Sequence, residues 1–334
     1  GRVLLGAGIR SGAAFGCHAA CFMVAGRPAD VLPVAMSCVF VAFAEEGEDV
    51  GRRLRTMAWV TLWLMLAGAG GTVLSEYPKL GVVASAAVAL GCGVVGVAGP
   101  RAALGGLLTL VTFIIFLGAP QLPPAALDNA LLLGLGGLVI MVLAIGPQLL
   151  RGARPWRVGP IPLPGLWARV RPHLAWDDPF VRHGVRLAVL IGVATFLEHA
   201  WGVEHGFWLP MTIAWVTKPD MDGTVSRVAG RLVGTLAGLA VSAVLLLVFH
   251  VSGSVAIAIC VVSIVFIVGY VAANYAVAVL AITVLVVVLF SVQGDPVSSE
   301  IDVRLVATIL AAVMAIGASY VWRLPVPDGG APVR

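Results

Sequence analysis

Charged side chains collect in one short stretch of an otherwise apolar chain, between Lys218 and Arg231. Arg227 and Arg231 are four residues apart, so they lie on the same face of a helix. The apolar run before them, 205–217, rises only about 20 Å as a helix, against a hydrocarbon core of about 30 Å. Cations at that depth are costly and usually mark a ligand path. At a helix N-terminus the helix dipole adds to their attraction for an anion, so the stretch predicts an anion-binding site.

The composition is that of a membrane protein. Hydrophobic residues make up 60% of the chain and charged residues 11%, whereas soluble domains carry about 25% charged residues. Only helices or closed barrels satisfy backbone groups in lipid. The apolar runs are too long for barrel strands of about ten residues. We therefore predict an all-α, polytopic membrane protein with twelve transmembrane helices.

The predicted spans form two similar sets of six. Gly8-Ile9-Arg10 recurs as Gly184-Val185-Arg186, and Leu32-Pro33 recurs as Leu209-Pro210, at an offset of 176 to 177 residues. Internal duplication is the simplest interpretation. The predicted units are a first six-helix repeat (1–149), a cytoplasmic linker with an interfacial helix (150–182) and a second six-helix repeat (183–334).

The distribution of basic residues predicts the orientation. With a cytoplasmic N-terminus, only Arg27, Lys79 and Arg304 of the 21 Lys and Arg residues face outward, as the positive-inside rule requires. We therefore expect both termini in the cytoplasm and location in the cell inner membrane. Since each half has an even number of spans, the repeats should be parallel, about an axis normal to the membrane. The second run of each half, 31–44 and 205–217, is short, and paired short segments point to a transporter's binding site.

Residues 206–238 resemble the fusaric acid resistance and aromatic acid exporter family, and more distantly the aluminium-activated malate transporters of plants. The motif R-x-x-x-R-x-x-G-T-x-x-G from Arg227 to Gly238 carries the resemblance, with support at 208–212 and 270–283 and at Arg304. The resemblance implies an inner-membrane efflux protein for organic anions, chiefly aromatic carboxylates, or an anion channel. The first half departs from the pattern, because its loop AEEGEDVGRRLRTMAWV lacks the G-T-x-x-G run.

Two groups of residues are expected to act on the substrate or on protons. The substrate-binding group is Arg231, Arg227, Thr212, Trp208, Thr235 and Lys218. The proton-coupling group, which contains titratable side chains near the predicted outer mouth and in the first span, is His205, Glu198 and His18.

Each of these assignments has a structural alternative. The arginines are equally suited to be snorkelling anchors at the membrane surface, and His18 to be a satisfied core histidine. Solvation in an outer loop would explain Glu198 and His205. The Gly234 and Gly238 pair has the spacing of a close helix contact and is expected to pack rather than to touch substrate.

The sequence contains no phosphate loop, no H-E-x-x-H and no G-x-S-x-G motif. We therefore predict no enzyme activity, no cofactor and no metal. The expected partners are a small organic anion, membrane lipids and a possible periplasmic or membrane partner subunit, with no nucleic acid. The predicted function is export of organic anions along a path between the two repeats, lined by the second and third spans of each. A passive anion channel of the same fold and a non-transporting scaffold or assembly protein remain the alternatives.

Overall fold

The computed structural model of the chain describes residues 3–45, 49–152, 168, 170–176, 178–202, 207–248, 253–293 and 297–321. Within these ranges the secondary structure is entirely helical. Twelve α-helices are described, and each overlaps one of the twelve predicted apolar runs. They are α1 (Leu5–Val24), α2 (Val31–Phe43), α3 (Val50–Leu74), α4 (Pro78–Val94), α5 (Pro100–Leu117), α6 (Ala125–Leu150), α7 (Pro179–Trp201), α8 (Trp208–Val216), α9 (Met221–Val248), α10 (Gly253–Tyr270), α11 (Tyr275–Gln293) and α12 (Val297–Val321).

Eight of these helices are long and apolar enough to cross a membrane, namely α3 to α7, α9, α10 and α12. The chain is therefore a multi-pass helical membrane protein. Helices α2 and α11 form shorter apolar segments, and α8 has only nine residues. Because four helices do not reach the length and hydropathy of a span, twelve membrane crossings stay a prediction. The predicted interfacial helix of the linker falls mostly outside the described residues.

The helix pairs that pack most closely recur six helices later along the chain. In the first half, α3 packs on α5 and α6, and α2 packs on α6. The equivalent pairs of the second half are α9 on α11 and α12, and α8 on α12. Between the halves, α4 packs on α7 and, equivalently, α10 packs on α1. The first helix of each half thus packs against the fourth helix of the other half. This exchange interlocks the two halves around a shared core.

The matched glycines of the internal similarity lie at these exchanged contacts. A Cβ on Gly8 of α1 would come within 2.5 Å of the Val265 carbonyl oxygen on α10. A Cβ on Gly184 of α7 would come within 3.0 Å of the Leu90 carbonyl oxygen on α4. Both positions need glycine because two helix backbones approach each other there, which gives a physical reason for the repetition of the motif.

The short helices α2 and α8 lie in the core. Both are apolar on all sides, the pattern of a fully buried helix, and every residue of α8 is buried. Their C-terminal ends meet, since the ring centroids of Phe43 and Trp215 are 6.5 Å apart. The described helix of the short run 205–217 is therefore enclosed by other helices.

Candidate anion-binding site

One face of α8 makes polar and aromatic contacts within the core. Trp208, Thr212 and Trp215 follow each other at spacings of four and three residues, which places them on one side of a helix. Arg231 of α9 is 1% exposed and donates from Nη2 to Thr212 Oγ1 over 3.2 Å. The guanidinium carbon of Arg304, on α12, lies 4.3 Å from the centroid of the Trp208 ring. We call these five residues the α8 stripe.

Several buried donors of the α8 stripe and of the next turn of α9 have no acceptor within the described part of the chain. They include Arg231 Nε, Trp208 Nε1 and the hydroxyl of Thr235. Because α8 and α9 are joined by a short connector and run antiparallel, Thr235 lies near the level of Trp208, one turn beyond the level of Arg231 and Thr212. Buried donors normally have partners, so this concentration of unused donors suits an anion.

Arg231 has no carboxylate partner among the described residues. The ion pairs found there involve other arginines and one histidine. Asp220, the acid of the α8–α9 connector, accepts instead from the backbone N of Gly223 over 2.6 Å. Among the described residues, the deeply buried Arg231 therefore has a hydrogen bond to the Thr212 hydroxyl but no acid that compensates its charge.

A cavity of about 350 Å³ lies next to the α8 stripe, between the two halves. We call it the connector cavity, because residues 217–219 of the α8–α9 connector line it. Its walls include the aromatic rings of Phe43, Phe180 and Trp215, and its basic side chains are His183, Lys218 and Arg227. No Asp or Glu is among its lining residues. Ligand pockets typically hold about 300 to 1,000 Å³, so the cavity accommodates a small amphipathic anion.

Side chains from two helices hold the connector in place. Arg186 of α7 donates to the carbonyl oxygen of Lys218 and, over 3.2 Å, to that of Pro219. The Thr224 hydroxyl accepts from the backbone N of Lys218 over 3.0 Å and donates to the Asp220 carbonyl oxygen over 2.9 Å. The direction of the connector, and hence the entry of Lys218 into the cavity, is fixed by these contacts.

The electrostatic environment of the cavity is strongly basic at the connector. Burial lowers the pKa of Lys218 from 10.5 to about 8, the charge of Arg227 acts in the same direction, and Asp220 opposes them. Arg227 lies over the ring of Tyr275, 4.3 Å from its centroid. An anion in the cavity would relieve the repulsion between the two cations.

The structure gathers all six predicted substrate-binding residues into two adjoining groups. Trp208, Thr212, Arg231 and Thr235 lie on or beside the α8 stripe, and Lys218 and Arg227 line the connector cavity. Arg227 and Arg231 are one turn of α9 apart, about 6 Å along the helix axis, so the two groups are continuous. Their binding of substrate stays a prediction.

The predicted proton-coupling residues do not line the cavity where they are described. His18 is half-buried on α1, and its Nδ1 donates to the Ala14 carbonyl oxygen of the same helix over 2.6 Å. Glu198 is buried near the end of α7, where a Cβ on Gly118 would lie 2.9 Å from its Oε1. His205 lies outside the described residues. Proton coupling by these residues stays a prediction.

Sequence reasoning missed four contributors. Arg304 was assigned to the outer side of the membrane and supported the family resemblance, but its burial (2% exposed) against Trp208 was not predicted. Trp215 was detectable from its spacing with Trp208 and Thr212. Phe43 carried no such signal and Arg186 only that of the repeated Gly-x-Arg motif, because their roles arise from tertiary contacts.

Residues 191–318 match the family model described as fusaric acid resistance protein-like, which confirms the resemblance read from 206–238. An uncharacterized protein of Neisseria gonorrhoeae is 29% identical over 157 residues, which are 47% of this chain and 37% of that protein. Inner membrane protein YccS of Escherichia coli K12 is 29% identical over 79 residues, 24% of this chain and 11% of that protein. An uncharacterized protein of Synechocystis is 32% identical over 80 residues, again 24% of this chain and 11% of the relative. The matches thus span 37% or less of these curated relatives. No solved structure matches the chain.

Proposed function

We propose that the chain is an inner-membrane transporter that exports small organic anions, with aromatic carboxylates as the preferred class, since residues 191–318 match the family model described as fusaric acid resistance protein-like. The connector cavity carries this proposal. It combines aromatic walls with two cationic side chains and has no acid among its lining residues. Apolar surface, combined with cations that form no ion pair among the described residues, fits a ring bearing a carboxylate. The inner-membrane location draws on the relative named inner membrane protein YccS.

Lys218 and Arg227 bind the carboxylate in this proposal, and Trp215, Phe43 and Phe180 hold the ring. Arg binds carboxylates through parallel hydrogen bonds, whereas Lys acts as a point charge. Arg231 and Thr212 lie one turn deeper on α9 and α8 and offer the next contact along the path. Trp208 lies one turn farther along α8 and contacts Arg304 of α12. The anion would therefore pass buried cations along its path through the core.

The path runs between two parallel six-helix repeats, 1–149 and 183–334, in the proposed architecture. The recurrence of helix pairs six helices apart supports this division. So does the meeting of α2 and α8 at Phe43 and Trp215, because two equivalent helices touch at their C-terminal ends only near a shared axis. Rocking of one repeat against the other would expose the cavity to either side.

The test is flux of phthalate through the purified chain in proteoliposomes. Phthalate is an aromatic dianion near neutral pH, so its passive leakage is small. We expect saturable phthalate flux, and at least about a tenfold loss in the variant combining Lys218→Met with Arg227→Gln, since each removes a charged contact worth about 1.5–3 kcal/mol. Lys79→Gln, which neutralises an exposed lysine, is the matched control. Equal flux in the double variant and in the control would refute the site.

The same preparation separates the alternative functions. A coupled transporter moves protons with phthalate, which a trapped pH-sensitive dye records. A passive channel carries phthalate current at zero proton flux. Absence of any phthalate flux from folded protein would contradict both and favour a scaffold role.

A further inference from the structure

The first half contains a carboxylate held between two arginines. Glu45 follows α2 by two residues, and its Oε1 lies 2.5 Å from Arg10 Nη2 and 3.8 Å from Arg53 Nη1. The Glu45 side chain is 6% exposed and that of Arg53 is 12% exposed. Arg53 is itself fixed, because its Nη2 donates to the Ala144 carbonyl oxygen over 2.9 Å. We call these three residues the Glu45 triad. Two arginines around one buried carboxylate are the arrangement by which a protein binds a free organic anion.

The second half has basic residues at the corresponding places. Arg186 stands at the position of Arg10, at the offset of 176 residues. Lys218 follows α8 by two residues, as Glu45 follows α2. The third helix of each half brings an arginine from its first turns, Arg53 on α3 and Arg227 on α9. Counted from the C-terminal ends of α2 and α8, a base of the second half therefore stands where the first half has an acid.

This replacement explains why the connector cavity is charged on one side only. Its basic side chains, His183, Lys218 and Arg227, all come from the second half. The first half contributes apolar residues such as Leu4 and Phe43. A smaller void of about 40 Å³ lies beside Ala44, the residue before Glu45. One half thus presents open cations, and the other presents cations already matched by a carboxylate of the chain itself.

We infer that Arg10 and Arg53 form a second anion site, which the chain occupies permanently with the carboxylate of Glu45. The wild-type protein therefore takes one external anion, on its second half, and a carboxylate that replaces the Glu45 side chain would bind to the first half. The comparison of the halves rests on the repeat and the transport site proposed above. The Glu45 triad and its test do not, because they need neither transport nor the connector cavity.

The test replaces the side chain with a free molecule of the same shape. Glu45→Ala removes the outer methylene and carboxylate of the side chain, and acetate supplies a methyl group and a carboxylate of matching size. Thermal unfolding of the full chain in detergent is measured in sodium acetate and in sodium chloride of equal ionic strength. A ligand that binds only the folded state raises its stability by mass action. We expect a lowered unfolding midpoint for Glu45→Ala in chloride and a saturable return toward the wild-type midpoint in acetate.

Glu45→Gln is the matched control, because it removes the same charge and leaves no space for acetate. Any acetate response that the connector cavity produces is present in both variants, so the difference between them reports the Glu45 triad. Adding Arg10→Gln to Glu45→Ala should abolish that difference. An equal acetate response in Glu45→Ala and Glu45→Gln would overturn the inference.

The inference can also be tested if Glu45→Ala folds poorly. If the variant aggregates in chloride, purification in acetate should yield a monodisperse protein that aggregates after exchange into chloride. Aggregation in both salts would count against the inference. Acetate rescue together with absent phthalate flux in the wild type would refute the transport proposal and leave the self-occupied site in place.

Discussion

The guanidinium carbon of Arg304 lies 4.3 Å from the centroid of the Trp208 ring. This contact joins α12 to α8 in the core, where Arg304 is 2% exposed and Trp208 is 4% exposed. One turn along α8, the Thr212 hydroxyl accepts from Arg231. The nine-residue helix α8 therefore contacts two buried cations of other helices on successive turns, one through an aromatic face and one through a hydroxyl group.

Trp208→Leu should destabilise the protein by about 2 kcal/mol or more, because a desolvated cation–π contact is lost together with aromatic packing. Trp208→Phe keeps an aromatic face and should lose less. Thermal unfolding in detergent measures both, with Trp59→Leu as the control at an exposed tryptophan. A Leu variant that unfolds at the wild-type temperature would show that the Arg304 contact contributes nothing to stability.

Arg231→Lys should reduce phthalate flux by about tenfold while folding stays near normal, since Lys keeps the charge and loses the paired donors that suit a carboxylate. Arg231→Gln should abolish flux. Arg227→Gln should weaken flux less, because Arg227 is partly solvated and Arg231 is buried. Anion uptake into inverted vesicles compares the three. Undiminished uptake in all three would show that Arg231 is only an anchor.

Anion binding should weaken as pH rises through about 8, the value to which burial and then Arg227 lower the pKa of Lys218. Below that pH Lys218 is protonated and attracts the anion. Above it, the affinity should fall by up to about tenfold per pH unit, because binding then requires uptake of a proton. Calorimetric titration with phthalate from pH 6.5 to 9.5 measures the dependence.

Two variants identify the titrating group in that experiment. Lys218→Arg stays charged over the whole range and should bind with little pH dependence. Lys218→Met should bind weakly at every pH. A wild-type profile that Lys218→Arg reproduces would assign the titration to another group.

Gly234→Ala should destabilise the protein by about 1–3 kcal/mol, the usual range for overpacking. Its Cβ would lie 2.5 Å from the Ala276 carbonyl oxygen on α11, and backbone cannot move aside as a side-chain end can. Gly317→Ala on α12 is the matched control, because a Cβ there meets nothing within 4 Å and alanine favours the helix. A lower unfolding temperature for the control than for Gly234→Ala would contradict the packing role of Gly234.

Most of the helical architecture follows from the sequence. Lipid obliges each apolar run to form a helix, so the runs locate the helices without knowledge of their neighbours. Some local contacts can also be predicted from residue type and spacing. Asn274, in the turn before α11, accepts from the backbone N of Ala276 over 3.1 Å, as expected for a turn-forming Asn. The spacing of Gly234 and Gly238 likewise predicts their close contact with another helix.

The sequence also brought Arg231 and Thr212 into one candidate site, because both lie near a short apolar run that precedes a basic connector. It did not identify their partners. Only the structure shows the Thr212 hydroxyl 3.2 Å from Arg231 and Asp220 turned to Gly223. Spacing along one helix fixes which residues share a face, whereas the facing residue belongs to a helix elsewhere in the chain.

The tertiary structure alone decided the cavity and the charge balance of the two halves. Phe43 and Trp215 meet although 172 residues separate them, and Glu45 binds Arg10 across 35 residues. Both contacts depend on how α1, α2 and α8 are placed by the exchange of first helices between the halves. Hydrophobic periodicity records only that a face must be buried. The helix that covers a given apolar face is determined by the packing of all the helices together, and no local pattern in the sequence carries that information.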